Sequence, residues 1–334
     1  MLYIHQYPDW TSFRYNFQSV MDALGQTRLQ EGKLLGVFDV MNSDGNENEI
    51  LAQDILANFA IDGNITQSEA SHKALADIQA EIQKKNDATP KIRNILGALR
   101  NANQPLTADR LFAWHAAVGQ NKVKQFRTKE SAWGVSPDRI EHEMDRFLKW
   151  FENSTEDGVL KAAIAQFWFL TIRPFDDGNG IIARTLSMML LARSENTARC
   201  QYALNQQIFA NRENYLKILA GAQQGNGDLT QWILWFLEML RTAVEECQQK
   251  IMQAVQQLQF RQKFKGTDFT PRERKIMDAV FNGELDSIFT VKQVAALCGV
   301  SHDSTLRDIQ SLIEKGIVQA EKKGGRSQKY SIRT

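Results

Sequence analysis

The sequence predicts a mainly α-helical protein: a large helical body, then a small C-terminal winged helix-turn-helix domain. Two observations carry that prediction. Apolar residues recur at helical spacing through 91–101, 107–119, 137–152, 158–171, 181–193, 211–222 and 228–258, with Asn, Asp, Gly and Pro between the runs. From Pro271 the character changes. A helix to Phe281 precedes Thr290–Ser301, which has the apolar spacing and central Gly299 of a helix-turn-helix. The helix Ser301–Lys315 would be the recognition helix, and Ile317-Val318 with Lys322–Ile332 reads as a two-stranded wing around a Gly-Gly turn.

At 334 residues the chain is long enough for two or three domains with a buried core. Residues 1–90 read as an N-terminal helical module, 91–260 as the helical core and 268–334 as the winged-helix domain, with linkers at Asn86–Pro90 and Phe264–Pro271. An aromatic-rich entry (Tyr3, Tyr7, Trp10, Phe13, Tyr15, Phe17) leads into a helix through Val20, Leu24, Leu29, Leu34 and Leu35 that caps the core. A polar turn at Asn42–Asn48 follows, then a helix from Ile50 to Ala60 that stops at Gly63. Thr66-Gln-Ser-Glu69 has the form of a capping box for the next helix. Phe126–Ser136 is the one non-helical stretch of interest in the core and reads as a short hairpin or a loop.

A net charge of +1 gives no general argument for nucleic acid or membrane binding. Cys200, Cys247 and Cys298 are widely spaced, without CxxC or metal-ligand spacing, as in a reduced cytosolic protein. The N-terminus lacks a signal-peptide pattern, and no apolar run approaches the roughly 20 residues that span a bilayer. The expected location is cytoplasmic, with no membrane partner.

The chain is organised around Thr171-Ile-Arg-Pro-Phe-Asp-Asp-Gly-Asn-Gly-Ile-Ile-Ala-Arg184. Between two apolar helices it places an Arg-Pro break, two carboxylates and a Gly-Asn-Gly turn. Glycine-flanked N–H groups and the positive end of a helix dipole then converge, which is the chemistry of a phosphate cradle.

This segment resembles the motif of the Fic (Fido) family, His-Pro-Phe-x-Asp/Glu-Gly-Asn-Gly-Arg-x-x-Arg: Pro174, Phe175, Asp177, Gly178, Asn179, Gly180 and Arg184 match in register. Trp114-His115 precedes the core as in the family, Ala60-Ile-Asp-Gly-Asn64 resembles its inhibitory helix, and Asn211-Arg-Glu-Asn-Tyr215 resembles its Asn-x-x-x-Tyr nucleotide contact. The resemblance implies a helical Fic core and the transfer of AMP from ATP to a hydroxyl on a target protein. Asp177 would hold Mg2+ on the phosphates, Gly178, Asn179 and Gly180 would form the anion hole, and Arg184 would pair with the γ-phosphate. Asn211 and Tyr215 would touch the nucleotide. Asp62 would engage Arg184 and block productive ATP binding.

Two motif positions depart. Arg173 stands where the family has its general base, and a guanidinium stays protonated at any working pH. Ile181 replaces a phosphate-binding Arg, removing a charge-assisted contact of about 1.5–3 kcal/mol. Arg173 is a candidate replacement for that cation. The flap ahead of the Pro137 helix is short, which weakens the docking of a target by strand addition. Asp62 is one methylene shorter than the family's Glu, and Asn58 stands for the usual Ser or Thr, so the Arg184 pair is expected to be weak or absent. For Asp177 a plainer role is to cap the following helix. His115 and His142 read as partly buried helix residues rather than substitute bases.

In the C-terminal domain Arg307 is the best base-reading candidate, and Lys322, Lys323, Arg326 and Lys329 are candidates for phosphate contact; residues 315–333 hold six basic residues against Glu321. Residues 265–334 carry 12 basic and 9 acidic residues, modest for a DNA binder, so a protein–protein or dimerisation module is the competing reading. The expected function is therefore a nucleotide-binding Fic protein with impaired or lost AMP transfer. The alternative is a DNA-binding regulator, with the Fic core as sensor or assembly scaffold and a homodimer among the expected assemblies.

Overall fold

A computed structural model of the chain describes residues 2–41, 47–63, 72–84, 87–118, 124–197, 202–281, 283–321 and 328–333. The chain forms two compact units, Met1–Cys247 and Gln248–Thr334. In order, the first contains α1 (Phe17–Met41), α2 (Glu47–Ile61), α3 (His72–Gln83), α4 (Pro90–Arg100), α5 (Ala108–Val118), α6 (Pro137–Asn153), α7 (Gly158–Ile172), α8 (Asn179–Ser194), α9 (Leu204–Ala210), α10 (Arg212–Gln223) and the start of α11 (Thr230–Lys263).

α7 and α8 are the axis of this unit. Both are apolar around almost their whole circumference, and residues such as Ala163, Phe167, Ala183, Leu186 and Met189 are completely buried. A helix without a polar stripe is stable in water only when neighbours cover every side. Here α7 and α8 pack on each other, α6 packs on α7, and α2, α4 and α5 pack on α8. Asp157 caps α7 by accepting from the Val159 N–H at 2.8 Å. It also pairs with Arg28 at 2.8 Å, which ties α1 to the start of α7. Trp10 and Phe13 meet Trp168 edge-on, and Arg14 exchanges backbone hydrogen bonds with Gly227 and Leu229. The aromatic entry is thus a staple across the core.

The second unit holds α12 (Pro271–Phe281), β1 (Ile288–Thr290), α13 (Val291–Cys298), α14 (His302–Glu314), β2 (Val318–Ala320) and β3 (Lys329–Ile332). Its sheet is antiparallel with order β1-β3-β2, pairing Phe289 with Tyr330 and Val318 with Ile332. Phe260, Ile276, Phe289, Val294, Ile309, Leu312 and Tyr330 fill its core. Glu273, 1% exposed, is neutralised by Lys315 at 2.7 Å and also accepts from Ser311. Thr290 caps α13 in a capping box with Gln293, and Ser301 caps α14.

Two features differ from the sequence expectation. α9 is a separate short helix in a stretch without a predicted element, because Asn211 breaks the chain just ahead of α10. The sheet has a third strand, β1, too short for alternation to show. Of the two readings of Phe126–Ser136, hairpin or loop, the structure shows the loop, without strand pairing among the described residues. The Thr66–Glu69 capping box lies outside the described residues.

Candidate anion site at the α7–α8 turn

α7 ends when Arg173 turns into the left-handed region (φ 52°, ψ 62°). For a residue with a Cβ this costs on the order of 1–3 kcal/mol and persists only where surrounding contacts impose it. They are visible here. The Arg173 N–H donates to the Phe169 carbonyl at 2.9 Å, and its own carbonyl accepts from Arg127 Nε at 2.7 Å. The Arg127 N–H donates to the Pro174 carbonyl at 2.9 Å, while its guanidinium also donates to the carbonyls of Lys129 and Val135. Arg127 is 5% exposed and so clamps the 126–136 loop to the turn. In the sequence it is one residue of the Phe126–Ser136 stretch; its only signal is an Arg with a single acid, Glu130, in that stretch.

Beyond Pro174 the chain is closed by Asn179. Its Oδ1 accepts from the Phe175 N–H at 3.0 Å, and its Nδ2 donates to the Phe175 carbonyl at 2.7 Å. Gly178 (φ 70°) is the residue before α8 and makes no side-chain cap. The cap suggested for Asp177 is therefore not used. The turn is held by Asn179, and the leading N–H groups of α8 have no partner within the helix.

Two polar positions of the motif are redirected. The Arg173 guanidinium lies over the Trp133 ring, 5.6 Å from its centroid, on the side of the 126–136 loop. Ile181 is 1% exposed, so the position of the missing motif Arg has become a core position. Arg173 thus makes its contact with the loop rather than standing in beside the cradle.

The acidic residue ahead of the core does reach the cradle. Asp62 Oδ2 is 3.1 Å from Arg184 Nη2, so the pair expected to be weak or absent is formed. Gly180 is the reason. A Cβ there would lie 2.5 Å from Asp62 Oδ1, well inside contact distance, so the missing side chain lets the shorter carboxylate sit at the N-terminus of α8. Asn58, one turn earlier on α2, accepts from Arg184 Nε at 2.7 Å through Oδ1, and its carbonyl accepts from Nη2 at 2.9 Å. Arg184 is 1% exposed, and its Nη1 has no partner among the described residues. Burial opposes its charge, but Asp62 and Tyr215 outweigh burial and hold its pKa above the ordinary value. Tyr215, 2% exposed, is stacked on Trp235 with its hydroxyl beside Arg184 and Gln166; burial keeps that hydroxyl protonated.

Asp177 and His115 also meet. His115 is buried and stacked on Phe175 with ring centroids 4.1 Å apart, and its Nε2 is 3.1 Å from Asp177 Oδ1. The Asp177 side chain is 55% exposed, open for a further ligand. His142 lies exposed on α6. Among the described residues no cluster of three His, Cys, Asp or Glu side chains is built to hold a metal. A lone exposed carboxylate does suit Mg2+ that arrives on phosphates and keeps several waters.

The helix that carries Asn58 and leads into Asp62 is latched from its other side. Asp54, 1% exposed, accepts from the backbone N–H of Asn205 at 2.6 Å and from Asn205 Nδ2 at 2.7 Å. Burial pushes the Asp54 carboxyl up to about 7, against the pull of these hydrogen bonds and of Arg184. Arg212 Nε donates to the carbonyl of Ile61 at 2.6 Å, capping the end of α2. Asn211, in contrast, donates to Gln207 and closes α9. Of the sequence-predicted residues, the structure brings Asp62, Arg184, Gly180 and Tyr215 together, and Asn211 turns to a capping role.

In the second unit Arg307 is exposed on α14 and Lys329 is exposed on β3. Lys322, Lys323 and Arg326 lie outside the described residues.

Residues 105–191 match the model of the Fic/DOC family, and residues 3–77 match that of a domain of unknown function, DUF4172. No curated protein matches the sequence. In fold the chain is similar to a Fic family protein from Desulfovibrio desulfuricans G20, with 18% identity and a TM-score of 0.53 over 94% of this chain and 95% of that one. It is also similar to residues 134–508 of Fic-1 from C. elegans, with 18% identity and a TM-score of 0.54 over 70% of this chain and 74% of that one. No helix among the described residues is long and apolar enough to cross a membrane.

Proposed function

We propose, on the premise that the chain is a Fic-family protein, that it binds ATP with Mg2+ at the α7–α8 turn but has impaired or lost AMP transfer. The observation that carries this reading is the Asp62 carboxylate at the N-terminus of α8, paired with buried Arg184. An internal carboxylate is held where the resemblance puts phosphate, and Arg184 Nη1 still lacks an acceptor. Oxygens of a polyphosphate suit the same donors, with Asp177 free on its solvent side to share a cation. The group that AMP transfer further requires is a proton acceptor for the target hydroxyl. Arg173 cannot supply it, and its guanidinium is engaged with Trp133. His115 is no replacement, because its Nε2 faces Asp177 and its Nδ1 is buried.

Calorimetry with ATP and Mg2+ on wild type and Asp62→Ala tests the binding half. Heat that rises in Asp62→Ala is expected; no heat from either protein at millimolar nucleotide would overturn it. Incubation with labelled ATP tests the transfer half. Wild type should stay unlabelled and Arg173→His should gain label. Label on wild type that Asp177→Ala removes would show a competent transferase instead.

A second reading is a DNA-binding regulator in which the Fic core senses ligand or scaffolds assembly. It is favoured by α13 and α14 joined at Gly299, with Arg307 exposed on α14 and Lys329 exposed on the strand beyond. A gel shift that weakens with salt, weakens again in Arg307→Ala and survives Arg184→Ala would favour it.

A further inference from the structure

The second unit contains a cavity of about 400 Å³ between the end of α11, the connection that follows and α12. Phe260, Phe264, Phe269 and Phe281 wall it over Met277, and the Phe260 ring lies 4.7 Å from that of Phe264 and 5.0 Å from that of Phe281. Two charged residues line the same space, Arg274 and Asp278. They stand four residues apart on α12, which puts them on one face a turn from each other. Among the described residues no ion pair reaches either of them.

We propose that this cavity binds a free α-amino acid with a large apolar side chain. The volume falls within the range of small-molecule sites, roughly 300–1,000 Å³. Charge complementarity selects the ligand. A purely apolar molecule would leave both charges unused, and a simple anion drawn to Arg274 would sit beside Asp278. An α-amino acid carries a carboxylate and an ammonium on neighbouring atoms. The carboxylate meets the Arg274 guanidinium, the ammonium meets Asp278, and the side chain lies in the cavity against the phenylalanine wall. The site belongs wholly to the second unit and does not depend on the nucleotide reading of the first.

Calorimetry on the full chain tests this with L-phenylalanine, 3-phenylpropanoate, phenethylamine and N-acetyl-L-phenylalaninamide. L-Phenylalanine should bind, and each analogue that lacks one or both charges should bind roughly tenfold more weakly or worse. Arg274→Gln and Asp278→Asn, both at exposed positions, should each weaken L-phenylalanine to a similar degree with circular dichroism unchanged. Four equal affinities would mean an unselective apolar cavity and overturn the proposal. Preference for the N-acetyl amide would mean a peptide site, and would overturn it too. No heat with L-phenylalanine at millimolar concentration, or binding unchanged in both variants, would do the same.

Discussion

Arg184 is the side chain on which the two halves of the cradle meet. Buried at 1% exposure, it is neutralised by Asp62 and steadied by Asn58. Asp62→Ala removes the carboxylate from a guanidinium that stays buried. Loss of one partner of a fully buried pair costs about 3–5 kcal/mol, but Asp62 is 28% exposed, so water screens part of this and about 1–2 kcal/mol is expected. A denaturant titration reads that loss, and the same variant should bind ATP with Mg2+ more tightly than wild type. Loss of stability without gain of nucleotide would make Asp62 a purely structural partner. Asn179→Ala tests the turn itself. It strips the Phe175 N–H and carbonyl of a side-chain partner in a buried setting, and about 1–3 kcal/mol should be lost. The motif residues were legible because Pro174, Asp177 to Gly180 and Arg184 occur at fixed spacing. The contacts of Asn58 with Arg184, of Arg127 with the turn and of His115 with Asp177 were not legible, since each reaches its partner from a distant element, and sequence holds no record of that closeness. The shortened Asp62 was misjudged for the same reason: whether a methylene matters depends on how closely α2 approaches Gly180.

At the scale of elements, α2 carries the plug and α9–α10 hold α2. The latch is a buried carboxylate, and its sign with pH can be worked out. Asp54 has a folded pKa raised to about 7 from 3.8, so the folded chain binds a proton that the unfolded chain has released. Its contribution is complete below about pH 4 and lost as pH rises through 7, on the order of a few kcal/mol if α2 undocks as one piece. The groups facing it are Asn205 and Gln206 at the start of α9 and Arg184 from α8. Hydrogen exchange along α2, corrected for the intrinsic effect of pH, should therefore show protection falling between pH 5 and 8. Asp54→Asn should flatten that dependence, and an unchanged profile in the variant would remove Asp54 as its source. The helices themselves were largely readable, because α4, α5, α6 and α12 have clear apolar spacing and punctuated ends. α9 and β1 were not: seven and three residues are too few for a period to establish itself.

For the molecule as a whole, the ionisable groups of the two units pull in opposite directions. In the first unit burial also raises Glu195 to about 7, opposed mainly by its hydrogen bond from Tyr202, and raises Glu31 less, against the pull of Arg28. These groups and Asp54 all favour the folded state at acidic pH and withdraw that support as pH rises toward 7. His5 acts the other way. Burial, Arg139 and Arg127 lower its pKa, so its contribution is present above about 6.5 and lost on acidification. Three carboxyls against one imidazole leave the first unit less stable at pH 8 than at pH 5. In the second unit Glu273 keeps a depressed pKa: burial would raise it, but hydrogen bonds from Lys315, Ser311 and Thr270 prevail. Its support is present above about 4.5 and lost below. Calorimetric melting across pH 4–8 should therefore resolve two transitions with opposite pH dependence. The transition of the first unit should fall as pH rises above 5, and that of the second should hold steady there and fall only on acidification below about 4.5. Assignment follows from Glu273→Gln, which should lower only the second unit's transition. A single transition with its maximum near neutral pH would contradict the balance of charges described for the first unit.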